Sequence, residues 1–274
     1  MIGCHHCRLN LRCACGEGKL FFVSFVSRSR HNRRVIGPLL NALGILIGAL
    51  FGLALRKPVT VRAQKFFRSA LGAFTVFYGM RLIYESVHGT FGACLKQLSI
   101  GVLAVVIGYW VGRLLKLQVL SNRIGHRAAT LLAAAQKSPP GSATAGFMAA
   151  TALFCAAPLG ILGAVADGLQ NYYYLLLLKA VMDGLAMLSF VKIFRWPVAL
   201  SALPVFCYLN GIALLSRLGG QLWLEHSGLA GYTGIAAGLI TCSVVLVIFE
   251  VRRVELANYL PALVVAPLLA HWIS

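Results

Sequence analysis

Residues 37–55 read GPLLNALGILIGALFGLAL, nineteen positions without one charged side chain. A run of this length matches the roughly 20 residues that an α-helix needs to cross the hydrocarbon layer of a membrane. Gly44, Gly48 and Gly52 recur every fourth position, on one face of such a helix. Small residues at that spacing let two helices approach closely in lipid. The same pattern returns at residues 98–117, with Gly101, Gly108 and Gly112.

Working outward, further apolar runs cover residues 69–87, 145–165, 172–190, 197–215, 232–249 and 256–272, so the spacing predicts about eight spans. Composition agrees. Hydrophobic residues make up 59% of the 274-residue chain and charged residues 12%, against about 25% charged in a soluble domain. Mean hydropathy is +0.81. The expected fold is all-α: a polytopic transmembrane bundle, with the lipid bilayer as its main partner.

The formal charge of +18 raises the question of nucleic acid. The basic residues lie between apolar runs rather than along one amphipathic face, so no nucleic-acid partner is expected. Their distribution instead orients the chain. Arg56, Lys57, Arg62, Lys65 and Arg68 follow the first span. Arg113, Lys116, Arg123, Arg127 and Lys137 follow the third, and Lys192, Arg195, Arg252 and Arg253 follow the fifth and seventh. The alternate loops hold only Lys96 and Arg217. Cytoplasmic loops carry the Lys/Arg excess, which predicts a bacterial inner-membrane protein with both the segment from Val35 and the C-terminus in the periplasm.

Residues 1–34 conflict with that topology, because they carry seven basic residues ahead of the first span. Cys4, Cys7, Cys13 and Cys15 lack a second CxxC pair, so no metal site is expected. The short apolar stretch 20–26 is a poor signal peptide. The segment reads as a non-native upstream extension, with the natural start near Val35. The rest divides into a first membrane half (35–117), a cytoplasmic linker (118–144, containing Pro139-Pro140-Gly141) and a second membrane half (145–274).

Ionisable residues inside spans are costly and therefore informative. Asp183 lies deep in the fifth span, with Lys179 four residues earlier on the same helical face. Asp167 ends the fourth span, and Arg81 lies in the second. Lys179 and Asp183 read either as a self-neutralising pair or as part of a cation- or proton-sensitive site; Asp167 reads as a second carboxylate or as a helix cap. Pro158, Gly163, Pro261 and Pro267 are candidate helix breaks, and broken spans in matching halves point to transporter sites. The amides Asn41 and Asn258 are candidates to join such a site. Glycine spacing also hints at an inverted repeat, with spans two and three matching seven and eight.

From Val35 the chain resembles a family of bacterial membrane proteins, domain of unknown function 554 (YqgA-type). The resemblance covers about residues 35–271. It rests on the opening IGPLLNALGILIGALFG, on Phe154-Cys-Ala-Ala-Pro158-Leu-Gly-Ile-Leu-Gly163 with Asp167-Gly168, on Lys179 and Asp183-Gly184, and on Ala257-Asn258-Tyr-Leu-Pro261-Ala262 with Ala266-Pro267. The family usually has Gly where Ala157 stands, and Tyr-Gln-Gly where Tyr208-Leu-Asn-Gly211 stands. The resemblance implies a multispanning inner-membrane protein and no particular substrate.

No P-loop, H-E-x-x-H or G-x-S-x-G motif occurs. The expected role is therefore a gradient-driven transporter or channel for a small solute or ion, without cofactor and without enzymatic activity. The alternatives are a structural or regulatory membrane subunit and, behind it, an embedded enzyme pairing Asp167 with Asp183. A homo-oligomer is compatible with all three.

Overall fold

A computed structural model describes residues 36–55, 60–137, 143–221, 229–249, 251 and 254–273. The expectations for residues 1–34, for Pro139-Pro140-Gly141 and for Arg56, Lys57, Arg252 and Arg253 lie outside the described residues. Residues 35–274 form one compact unit.

The described residues are helical throughout, with no strand. Helix α1 (Gly37–Ala54) is followed by α2 (Val61–Ser86), α3 (Phe91–Leu114) and α4 (Leu117–Lys137). Next come α5 (Ala143–Ala156), α6 (Pro158–Gln170) and α7 (Tyr174–Phe194). A 3-10 segment (Trp196–Ser201) leads into α8 (Ala202–Ser216), and α9 spans Ala230–Ile248. A second 3-10 turn (Leu256–Tyr259) precedes α10 (Ala262–Ile273).

Each expected span is a helical segment. Six are long and apolar enough to cross a membrane: α1, α3, α7, α9 and the two units Trp196–Gly220 and Leu256–Ile273. The bent pair α5–α6 makes a seventh. Helix α2 has 26 residues but carries Arg62, Lys65, Arg68, Arg81 and Glu85, and it falls short on apolarity. Arg81 and Glu85 form a half-exposed ion pair one turn apart (2.7 Å). The stretch 118–144, expected as a linker, is largely the amphipathic helix α4. A turn at Lys116 (φ 54°) sets α4 off from α3, and α4 packs along α5.

Side-chain-poor seams hold the bundle together. A methyl group added at Gly44 would overlap Ala180; at Gly48 it would overlap the Gly184 backbone; at Gly52 it would press on Leu188. This register makes α1 and α7 parallel. Gly72 faces Phe249 and Gly79 faces Cys242, so α2 and α9 run antiparallel. Gly108 faces Ala262 and Gly112 faces Asn258, so α3 is antiparallel to the α10 unit. These last two pairs are those that the repeat reading matched.

Lipid explains why this works. Water offers helices no partner here, and hydrocarbon solvates an apolar surface as well as another helix does, so association rests on close packing. The outer face of α1 keeps Leu39, Leu43, Ile47, Leu50 and Phe51 exposed, as a lipid-facing surface should. Gly48→Ala is expected to lower the stability of the detergent-solubilised protein by about 1–3 kcal/mol. Gly92→Ala, where an added methyl group meets nothing within 4 Å, should leave the thermal midpoint unchanged.

Candidate functional site

Asp183 is the tenth of the 21 residues of α7, about 13 Å along the axis at 1.5 Å per residue. Lys179 lies one turn earlier, where an i,i+4 pair meets. Its ammonium donates to Asp183 Oδ2. The Lys179 side chain is 1% exposed and that of Asp183 10%. The close α1–α7 seam brings in Asn41, whose Nδ2 donates to the same oxygen (3.3 Å). Asn41 Oδ1 is buried with no hydrogen-bond partner. The Lys179 stem runs past Gly160 of α6, where a side chain would collide with its Cε. Its ammonium also lies 5.9 Å from the centroid of the Phe154 ring, within cation–π range.

Asp183 borders a cavity of about 760 Å³. Met182, Asp183 and Ala186 of α7 form one wall, and Leu153 and Phe154 of α5 form another. Ala156, Ala157 and Pro158 also line it. There the fourth span breaks, and α5 and α6 meet at 59°. The cause is local. A residue before proline is driven to extended backbone, and Ala157 adopts φ −67°, ψ 117°. Pro158 has no N–H, so the Phe154 carbonyl loses its helical donor.

The cavity opens between α4 and the α9–α10 connection. Gln118, Ser121, Asn122 and Gly125 line it from α4, at the i, i+3, i+4, i+7 spacing of one helix face. Val254 and Glu255 close the other side. Glu255 and Asn122 are exposed and mark a mouth, while Asp183 is buried beside Met182, which is 38% exposed. Glu255 Oε2 accepts from Tyr109 Oη (3.0 Å) and from Asn258 Nδ2 (2.7 Å). Asn258 Oδ1 accepts from the Gln118 backbone N–H (3.0 Å), and Gln118 Oε1 accepts in return from the Ala257 N–H (3.2 Å). This reciprocal clasp ties α4 to the 3-10 turn. Asn258 thus shapes the mouth and does not line it.

The structure therefore brings together Asp183, Lys179, Asn41 and the break at Pro158. It places Asp167 elsewhere. Asp167 is buried, and its Oδ2 accepts the Gly37 N–H (3.0 Å), where Ile36 supplies no side-chain cap. It is a cap lent to α1 by another helix, and it shares no partner with Asp183. Gly163 does not break α6; it gives room to Leu175 and Leu176. Pro261 stands at the junction before α10, whereas Pro267 lies inside that helix. Among the described residues, no three His, Cys, Asp or Glu side chains group as a metal site would need.

Sequence reasoning did not single out Glu255 or the polar face of α4. The helical spacing of residues 118, 121, 122 and 125 was a readable signal. So was Glu255, one of only seven acidic residues in the chain.

The family described as "Protein of unknown function (DUF554)" matches residues 36–271. The chain is 25% identical over 245 residues to "Uncharacterized protein YqgA" of Escherichia coli, covering 87% of this chain and 97% of that protein. It is 23% identical over 233 residues to "Uncharacterized membrane protein YdfK" of Bacillus subtilis, covering 85% and 94%. No solved structure matches it.

Removing one member of a buried ion pair strands the other, whereas replacing both with apolar residues is often neutral. Lys179→Met or Asp183→Leu alone is expected to cost about 3–5 kcal/mol in detergent unfolding. The double variant should recover most of that loss, and a simple sum of the two losses would contradict the pairing.

Proposed function

We propose, for a chain that belongs to the DUF554 family of proteins and folds as a multi-pass membrane protein, that the cavity is the solute path of a gradient-driven transporter for a small solute or ion. The observation that carries this reading is the depth of the cavity. It runs from an open mouth at Glu255 to a charged side chain midway along α7, at a broken helix. A structural subunit gains nothing from an open centre, since voids forfeit packing energy.

Beyond Asp183 the chain is closed. Leu162, Leu175 and Leu176 are at most 1% exposed, and Asp167 seals the start of α1. A path packed on that side fits alternating access better than a continuous pore. The break at Ala157 is the natural hinge, because no hydrogen-bond ladder crosses it unbroken. The mouth lies by Arg113 and Lys116, so the positive-inside rule assigns it to the cytoplasmic side of a bacterial inner membrane. No ATP-binding motif is present in the sequence, so a gradient supplies the drive.

The test is flux of solute or protons in proteoliposomes. Asp183→Asn is expected to abolish it, and equal flux in wild type and variant would overturn the reading. A cysteine at Ala186, with the native cysteines replaced, should react with a membrane-impermeant thiol reagent from the cytoplasmic side only.

A further inference from the structure

The two carboxylates of the cavity are held in the same way. Asp183 uses Oδ2 for Lys179 and Asn41, and Glu255 uses Oε2 for Tyr109 and Asn258. In each, the other oxygen takes no hydrogen bond from the described residues, although both side chains line the cavity. Asp183 is 7% exposed, so its accessible surface lies in that cavity. Among the described lining residues there is no Lys, Arg or His. With Lys179 neutralising Asp183, Glu255 carries the one net charge among the described lining residues, and Arg113 and Lys116 stand outside that lining.

The remaining lining is apolar. Leu153, Phe154, Met182, Ala186 and Val254 make walls that a hydrated inorganic ion could not use. About 760 Å³ is in the range of organic ligand sites, roughly 300–1,000 Å³. The protein already shows how an alkylammonium is held here. The Lys179 butylammonium has its charge on Asp183, its nitrogen 5.9 Å from the Phe154 ring centroid and its methylenes against Gly160.

We propose that this cavity binds a small organic monocation, an amine in its ammonium form, with its charge between Asp183 and Glu255 and its apolar body against Phe154 and Met182. The assignment rests on reading the cavity as a solute path and names the chemical class of the solute. A single positive charge leaves the occupied site neutral, as burial in a membrane demands. Anions meet two carboxylates, and neutral solutes leave the carboxylates without a partner.

The experiment is calorimetric titration of the purified full-length protein in detergent with n-butylammonium chloride, n-butanol, sodium butyrate or sodium chloride. Saturable binding of n-butylammonium is expected, with no binding of n-butanol or butyrate. Glu255→Gln, at the exposed mouth, should weaken n-butylammonium by about tenfold, the value of a charge-assisted hydrogen bond. Equal binding of butanol or butyrate, unchanged affinity in Glu255→Gln, or displacement by sodium mole for mole would overturn the assignment. Asp183-dependent flux of some other solute with no n-butylammonium binding would remove the amine class and leave the transport reading standing. Binding of n-butylammonium without any Asp183-dependent flux would do the reverse.

Discussion

An ammonium and a carboxylate buried halfway along a membrane helix constrain everything around them. Neither charge is tolerable alone in a low-dielectric interior. Their mutual attraction is strong there, but it offsets desolvation only when the remaining lone pairs and protons are met. Asn41 supplies one further hydrogen bond, and the Phe154 ring supplies its negative face. For Asn41 to arrive, α1 must lie almost backbone to backbone with α7. That is why Gly44, Gly48 and Gly184 stand where they do. The small-residue seam and the charged pair are two parts of one solution.

The second constraint is that backbone polar groups have no water to turn to within hydrocarbon. Two of the places that interrupt the regular ladder are answered differently. At the start of α1, the exposed N–H of Gly37 is met by Asp167 from α6, a buried anion at the positive end of a helix. At the end of α5, Pro158 leaves the Phe154 carbonyl without its helical donor. The first irregularity is sealed on the closed side. The second borders the cavity, where water or a ligand can serve. Irregular backbone at membrane depth is tolerated where it lines such a space.

What was legible in the sequence follows from the same physics. Lipid demands long apolar runs, so the spans could be read by length alone. Their boundaries differ most at α2 and α3, which begin at Val61 and Phe91 rather than at 69 and 98, because polar first turns carry no hydropathy signal. Helix α4 hid because it is amphipathic. It carries Arg123 and Arg127 among its apolar residues, and hydropathy sees only a gap between spans. Asp183, Lys179 and Asn41 stood out because polar residues are conspicuous in apolar text. Glu255 escaped for the opposite reason, since it sits among loop residues where an acid attracts no notice. Asp167 shows the limit of the argument by cost. A buried carboxylate must have a partner, but sequence does not say whether that partner is a substrate or a neighbouring helix.

The same contacts say which parts of the path can move together. Helices α1 and α7 are locked by the seam and by the Asn41–Asp183 bond, so they move as one body. Helix α6 is joined to that body through the Asp167 cap and through Leu175 and Leu176 packed on Gly163. Helix α5 meets α6 across Ala157 and packs along α4, and it also packs on α7, where the Phe154 and Phe190 rings lie 5.8 Å apart and Gly146 sits against Phe194. Helix α4 in turn is tied to the 3-10 turn by the Gln118–Asn258 clasp. The cavity lies along the boundary between these two groups, with Asp183 on one and Glu255 on the other. A relative tilt at Ala157 would change the separation of the two carboxylates while shearing the contact of Phe154 with Phe190 and Lys179. A ligand bridging them therefore binds the two groups to each other, and its affinity depends on the tilt. Differential affinity of that kind is what couples binding to a conformational change.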